Sequence, residues 1–167
     1  MTAAQAIFAL ALAGVVAAVA GFGVVVVRSA LRTDGGPYPS SGMAGRLLRG
    51  PEERAEANRW AFYLHRLTGV AILGFLCLHV LDVGVWLVSE PAFDELHDLY
   101  GSAPLRIFEC GLLLALLFHT LNGLRILAID AADLGASTAR ALLAVVLAAT
   151  TLLGAAGSVV ILAPLVS

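Results

Sequence analysis

The chain has 167 residues, of which 60% are hydrophobic and 13% are charged, and its mean hydropathy is +0.93. Soluble domains are only about 45–50% apolar, so this excess indicates a membrane-embedded protein. The formal charge of −2 and the isoelectric point near 6.0 exclude the strongly basic field that recruits nucleic acid, and we expect no nucleic-acid partner.

Four stretches are apolar enough to cross a bilayer, since a transmembrane helix needs about 20 such residues. They run approximately over Ala3–Val27, Trp60–Val88, Leu105–Ile129 and Ala139–Leu165. The first has the alternative interpretation of a signal peptide, but it lacks a basic start and is longer than a usual signal core, which favours a retained span. The sequence therefore predicts an all-α integral membrane helix bundle with three core transmembrane helices and an extra N-terminal one.

The linker between the first two spans, residues 29–59, is polar and rich in Gly, Pro and Ser, and it is predicted to be a loop. The connection after the second span, Ser89–Pro104, carries acids but no Arg or Lys. By the positive-inside rule the linker is cytoplasmic and both termini are external, and Arg125 and Arg140 agree with this. The arginines in and beside the linker are Arg28, Arg32, Arg46, Arg49, Arg54 and Arg59.

The external connection itself predicts a short helix. Ser89 and Pro91 are a good helix start, and Gly101 is a good stop. Such a helix has an apolar side and an acidic side, as expected of a segment that lies flat at the membrane interface. His97 within it is interpreted as a solvated histidine. The apolar side consists of Phe93, Leu96, Leu99 and Tyr100, and the acidic side of Asp94, Glu95 and Asp98.

Histidines inside the spans are the most informative residues, because an ionisable group in hydrocarbon is costly unless it is paired, hydrated or bound to a ligand. A lone imidazole in a helix bundle is the ordinary axial ligand of a b-type haem. His119 is the stronger candidate, because Gly123 lies one turn beyond it on the same face and leaves room for a flat macrocycle. Arg125 either pairs with haem propionates or extends to lipid phosphates.

His79 is the second intramembrane histidine, about 21 Å along the helix from His65. It is either the ligand of a second, distal haem, with Arg106 and Glu109 nearby, or a histidine that is hydrogen-bonded within the bundle to Asp82 or to a backbone carbonyl. The spacing leaves both interpretations open.

A cluster of polar residues, Tyr63, His65, Arg66 and Thr68, stands at the start of the second span. Such groups can donate hydrogen bonds to the carbonyls of a quinone while its ring packs on apolar surface. Aromatic residues with arginine also form plain interfacial anchors in membrane proteins. Both interpretations stay open on the residues alone.

Two motifs carry a family resemblance. The run His65–Val70 matches the pattern H-R-x-[ST]-G, and the run His119–Arg125, followed by Asp130, matches H-x-x-x-G-x-R. They lie about fifty residues apart, at the entry of one span and near the exit of the next. On these residues the chain resembles the cytochrome b subunit family of succinate dehydrogenase and fumarate reductase. The resemblance covers roughly Trp60–Ser167, and the first span is outside it.

The resemblance implies roles for individual residues. His119 would be an axial ligand of haem b, His65 would lie near the propionates, and Arg66 would line the quinone pocket. Where many members have a quinone-binding serine, this chain has Phe62. Either Tyr63 or Thr68 would then supply the hydroxyl.

The resemblance also implies partners. Residues 60–167 would form the haem-binding three-helix anchor domain, after residues 1–28 as a transmembrane helix and 29–59 as a linker. The extra His79 resembles variants whose two anchor subunits hold two haems. The implied complex contains a flavoprotein subunit, an iron–sulfur subunit and a second small anchor that supplies the other haem ligand, in a prokaryotic cytoplasmic membrane. The alternatives are a haem-free structural anchor and a small transporter, although a transporter would have more acids at mid-membrane.

Overall fold

The computed structural model describes residues 2–32 and 54–165. All regular structure in these two ranges is helical, so the predicted all-α class is confirmed. The elements are α1 (Ala3–Arg32), α2 (Arg54–Val88), α3 (Glu90–Tyr100), α4 (Ala103–Ala132) and α5 (Ala136–Leu162), followed by a 3₁₀ turn (Ala163–Leu165).

Four segments are long and apolar enough to cross a membrane, as the sequence predicted: Ala3–Val25, Trp60–Val88, Ala103–Ala132 and Ala136–Leu165. The chain is therefore an integral, multi-pass membrane protein. The predicted loop was too long at both ends, because α1 continues to Arg32 and α2 begins at Arg54. Ala, Glu and Arg are good helix formers, so a helix can continue past its apolar part. Residues 33–53 of the linker lie outside the described residues.

The helices α4 and α5 form a close antiparallel hairpin. Its turn contains Asp133 in the left-handed conformation with φ of 46°, and the N–H of Leu134 donates to the carbonyl of Ile129 at 3.1 Å. Small residues let the two helices approach, since a Cβ at Gly154 would collide with the Leu114 side chain.

The short helix α3 is formed as predicted. The Ser89 side chain caps it by accepting a hydrogen bond from the Ala92 N–H at 3.4 Å, and a proline lies in its first turn. Its apolar side turns toward the bundle, because Leu96 is only 4% exposed. The first helix holds it there, since the Gln5 side chain donates to the carbonyl of Glu95 at 2.8 Å.

The bundle has two ends. We call the start of α2 and the end of α4 the linker end, and the end of α2, α3 and the start of α4 the α3 end. Buried residues at Ala61, Phe118, Leu143 and Val146 form a small core between α2, α4 and α5. In the most apolar part of each span at most 17% of residues are buried within the chain, so the outer faces are left for lipid or other subunits.

Candidate functional site

Two histidines that are distant in sequence meet between α2 and α4. The imidazole rings of His65 and His119 stack with their centroids 4.0 Å apart and their planes only 5° from parallel. Both side chains are half-buried. The sequence singled out both residues separately, and the structure brings them into one site.

Each histidine packs against the glycine of the other motif. A Cβ built on Gly69 would lie 2.8 Å from Cε1 of His119, closer than real Cβ contacts come. A Cβ on Gly123 would lie 3.5 Å from Cε1 of His65, which is ordinary contact. Gly69 is therefore required for His119 to sit where it does. Sequence reasoning quoted Gly69 in its motif but did not assign it a role.

The backbone of α2 determines which tautomer the neutral ring of His119 adopts. Its Nδ1 lies 3.0 Å from the carbonyl oxygen of His65 and 3.4 Å from the hydroxyl of Thr68. A carbonyl oxygen only accepts, so Nδ1 must donate and therefore carries the proton. Nε2 of the neutral ring keeps its lone pair, and it makes no hydrogen bond to any residue that the structure describes. This is the protonation state that a metal-ligating imidazole requires.

Thr68 is a buried residue of the same site. It is 8% exposed, and its hydroxyl lies 2.9 Å from the Leu64 carbonyl and 3.0 Å from the His65 carbonyl. The hydroxyl of Thr68 is therefore already hydrogen-bonded to its own helix.

The imidazole of His65 has no such partner. Its Nδ1 is buried and makes no hydrogen bond within the described part of the chain. Buried polar atoms in native proteins are nearly always paired, because an unpaired one costs about 1–3 kcal/mol. An unpaired nitrogen on the ring that stacks against His119 supports a site for a bound group.

Arg125 lies at the junction of α4 and α5. It is 8% exposed, and its Nε donates to the carbonyl of Ala139 at 3.0 Å. Its Nη1 donates to Oδ1 of Asn122 at 3.2 Å, and Asn122 is completely buried. Arg125 thus holds the first turn of α5. Asn122 was not chosen from the sequence, although an amide three residues after an intramembrane histidine is a usable signal.

The residues predicted to grip a quinone are distributed over different surfaces. Arg66 is exposed, and its guanidinium carbon lies 4.2 Å from the centre of the Phe62 ring, a cation–π contact. Phe62 thus occupies the place of the expected serine and packs with the arginine. Tyr63 instead lines a cavity of about 150 Å³ between α1 and α2. The Tyr63 ring also packs edge-on against Phe62, with centroids 5.6 Å apart. Thr68 faces His119 instead, so it lies apart from the other two groups.

The α3 end carries the second group of polar residues. His79 is exposed, and its ring stacks at 5.8 Å on Phe75. Asp82 is 4% exposed and accepts a hydrogen bond from the Tyr100 hydroxyl at 2.9 Å, so its partner is Tyr100 rather than His79. Burial, together with this hydrogen bond, raises the pKa of Tyr100 above its ordinary value.

Two further residues named from the sequence lie near this end. Arg106 donates from Nη1 to the carbonyl of Ile161 at 2.8 Å, which joins the start of α4 to the end of α5. Glu109 lines an open, otherwise apolar groove of about 210 Å³ between α2 and α4.

Comparison with known proteins agrees with the motifs. The profile of the succinate dehydrogenase/fumarate reductase transmembrane subunit family matches residues 53–157. The chain is 36% identical over 77 residues to the succinate dehydrogenase 2 membrane subunit SdhC of Mycobacterium tuberculosis, an alignment that covers 46% of this chain and 57% of the relative. It is 35% identical over 75 residues to the succinate dehydrogenase hydrophobic membrane anchor subunit of Halobacterium salinarum, with 44% and 58% covered.

These alignments reach less than two thirds of either relative's length. The family profile, however, matches well over half of the chain and includes all of the two motifs that meet at the stacked histidines. The first span lies outside the match. The chain therefore belongs to the family of succinate dehydrogenase and fumarate reductase transmembrane subunits.

Proposed function

We propose that the chain is the haem-b-binding, quinone-side anchor subunit of a succinate:quinone oxidoreductase. The observation that carries the proposal is the state of His119. Its Nδ1–H is donated to the backbone of α2, its Nε2 is free, and its ring is seated against a glycine.

The residues present fit a haem. Metal-ligating histidines almost always donate their second ring N–H to a carbonyl or carboxylate, which orients the ring and makes the ligating nitrogen more basic. The His65 carbonyl does this for His119. The buried Nδ1 of His65 has no partner among the described residues, which supports a bound group at this site. The bound haem would supply a one-electron carrier within the membrane.

The histidine stack also argues that the second axial ligand lies outside this chain. The rings of His65 and His119 are stacked at 4.0 Å, which leaves no room for a macrocycle between them. His65 and His119 therefore do not serve the same iron in this arrangement. A histidine of a second small anchor subunit is the partner that the site requires.

A reduced-minus-oxidised absorption spectrum of the complex purified from membranes tests the haem assignment. The wild-type complex should show b-type bands, and the His119→Ala variant should lose them while the chain still inserts. His97→Ala is the matched control, because His97 is an exposed histidine of α3. Full b-type bands in the His119→Ala complex would overturn the assignment, and their absence from the wild type would favour the haem-free anchor.

A second haem at His79 stays a separate part of the proposal. His79 is exposed on α2 and makes no hydrogen bond among the described residues, so its imidazole is open to a group from outside the chain. The haem content per complex decides the matter, because a second haem would be lost in His79→Ala while the first remains.

The quinone site is proposed at Arg66. Its exposed guanidinium near the start of α2 can donate hydrogen bonds to a quinone carbonyl, and the neighbouring Phe62 ring offers apolar contact. In the orientation that the positive-inside rule predicts, this linker end is cytoplasmic in a prokaryotic inner membrane. The iron–sulfur subunit, which would pass electrons from the flavoprotein subunit, would dock there.

Arg66→Ala tests the quinone site. We expect succinate:quinone activity to fall about tenfold, the value of one charge-assisted hydrogen bond. Succinate oxidation with an artificial acceptor should change little, because that assay bypasses the quinone. Arg140→Ala is the control, since Arg140 lies on α5. Equal loss of both activities in Arg66→Ala would contradict the site.

A further inference from the structure

The first helix has no part in the proposed electron transfer, yet it forms a groove with α2. A cavity of about 150 Å³ lies between α1 and α2, and a second of about 280 Å³ lies between α1, α2 and α4. We call the two together the α1–α2 seam. The smaller cavity is lined by Gly23, Val27, Trp60, Tyr63, Leu64 and Leu67, and the larger by Val15, Val16, Val19, Ala20, Ala71, Phe108 and Leu112.

The two cavities lie in line. The lining residues of α1 recur every three or four positions from Val15 to Val27, so they share one face of that helix. The lining residues of α2 do the same from Trp60 to Ala71. Val15 and Val27 are about 18 Å apart along α1, slightly more than half of the roughly 30 Å hydrocarbon layer. The seam therefore has the length of an acyl chain in one leaflet.

Trp60 brings a hydrogen-bond donor to the linker end of the seam, although the wall of the smaller cavity is almost wholly apolar. The indole Nε1 of Trp60 is buried and makes no hydrogen bond to any residue in the described ranges. An indole N–H only donates, so it requires an acceptor oxygen. Arg28, the residue after Val27, is exposed at the same end. A ligand of this seam thus has a long apolar chain, a carbonyl oxygen and a negative charge.

We propose that the α1–α2 seam binds one anionic glycerophospholipid. Its acyl chain fills the two cavities, an ester carbonyl accepts from Nε1 of Trp60, and its phosphate lies beside Arg28. The exposed Arg28 favours an anionic over a neutral headgroup. A quinone has a long chain but no charge, and Arg66, where the quinone site is proposed, lines neither cavity. The lipid site does not rest on the haem or quinone assignments.

The chain offers a matched pair of variants. Gly23 lines the smaller cavity, and a Cβ there would make ordinary contact with Leu67 at 3.8 Å, so Gly23→Leu should fill the cavity without separating the helices. Gly21→Leu is the control, because Gly21 is exposed and a Cβ added there would have nothing within 4 Å. Trp60→Phe keeps the aromatic ring and removes only the N–H.

The test is native mass spectrometry of the purified, delipidated complex titrated with phosphatidylglycerol or with phosphatidylcholine. We expect the wild type and Gly21→Leu to bind phosphatidylglycerol alike and more tightly than phosphatidylcholine. Gly23→Leu should lose this binding, and Trp60→Phe should weaken it about fivefold, as expected for one neutral hydrogen bond.

Three results would overturn the proposal. One is equal phosphatidylglycerol binding in the Gly23→Leu and Gly21→Leu complexes. Another is equal affinity for the two lipids. The third is a quinone that copurifies with the wild type and is lost in Gly23→Leu, which would make the seam a site for the quinone tail. Because Trp60→Phe leaves the helix packing unchanged, it tests the site even where Gly23→Leu impairs assembly.

Discussion

The two ends of the bundle differ in the hydrogen bonding of their polar side chains. At the linker end, the His65 imidazole has no hydrogen bond among the described residues, and the Nε2 of His119 is free. At the α3 end, Oδ2 of Asp82 accepts from Tyr100 and Nη1 of Arg106 donates to the Ile161 carbonyl, although Oδ1 of Asp82 and Nε of Arg106 are buried without a hydrogen bond among the described residues. A polar side chain that bonds to its own chain helps to build the fold, whereas one with no such bond at all, as at His65, is a candidate to bind a ligand.

Arg125, at the linker end, is hydrogen-bonded within the chain in the same way as Asp82 and Arg106 at the α3 end. Arg125 donates hydrogen bonds to Ala139 and Asn122, and its contact with haem propionates or lipid phosphates stays a prediction. Variants at each end can therefore test this difference.

The largest effect is expected at Gly69. In Gly69→Leu the new Cβ would lie 2.8 Å from Cε1 of His119, and the ring must leave its place beside the His65 carbonyl. Loss of such an orienting hydrogen bond typically costs 10- to 100-fold in metal affinity, so we expect haem content to fall at least about tenfold. Pyridine haemochrome assay of the purified complex measures this.

The control is Gly84→Leu on the same helix. A Cβ on Gly84 has nothing within 4 Å, so this variant adds the same apolar volume without touching a neighbour of the chain. Haem content that stays at the wild-type level in Gly69→Leu would mean that the seat of His119 is not needed, and the contrast between the ends would fail.

Arg125→Lys gives the next effect. Lysine keeps the charge but cannot reproduce both bonds of the guanidinium, so the Ala139 carbonyl or the Asn122 amide loses its donor. We expect the free energy of unfolding of the subunit to fall by about 1–3 kcal/mol, with haem content retained. Thermal unfolding in detergent, followed by circular dichroism, measures it, with Arg140→Lys as the control. Loss of haem at an unchanged unfolding temperature would instead indicate that Arg125 contacts the haem propionates.

The sequence predicted the elements of the fold but not how the helices face one another. The spans follow from composition, and α3 follows from Ser89, Pro91 and its two-sided pattern, all of which act over a few residues. The sequence does not show which side of each span packs against another helix, because lipid and neighbouring helices are equally apolar. No stripe of residues therefore distinguishes the two sides. The stacking of two histidines from separate helices therefore required the structure.

The same limit explains the role of the first helix. Its contact to α3 through Gln5, and the close approach of Val15 to Gly74, join residues far apart in sequence by side chains that carry no motif. The family resemblance, which began at Trp60, could not supply them. Small residues in an apolar span predict close packing in general but do not identify the partner helix.

The smallest effect is expected at Tyr100, where the pH dependence has a definite sign. Tyr100→Phe keeps the ring contact with Phe8, whose centroid is 5.9 Å away, and removes the hydrogen bond to Asp82. We expect a loss of about 1 kcal/mol in the free energy of unfolding near neutral pH, with haem spectra unchanged.

Because burial and the bond to Asp82 raise the pKa of Tyr100, the folded protein keeps the phenol proton at a pH where the unfolded chain has lost it. The stabilisation is thus fully present below the ordinary tyrosine pKa of about 10 and declines as the pH rises above it. Thermal unfolding between pH 8 and 11 should show the wild-type advantage over Tyr100→Phe constant up to about pH 10 and shrinking beyond it. An advantage that grows at alkaline pH would mean that the folded protein holds the phenolate instead, and would contradict the raised pKa of Tyr100.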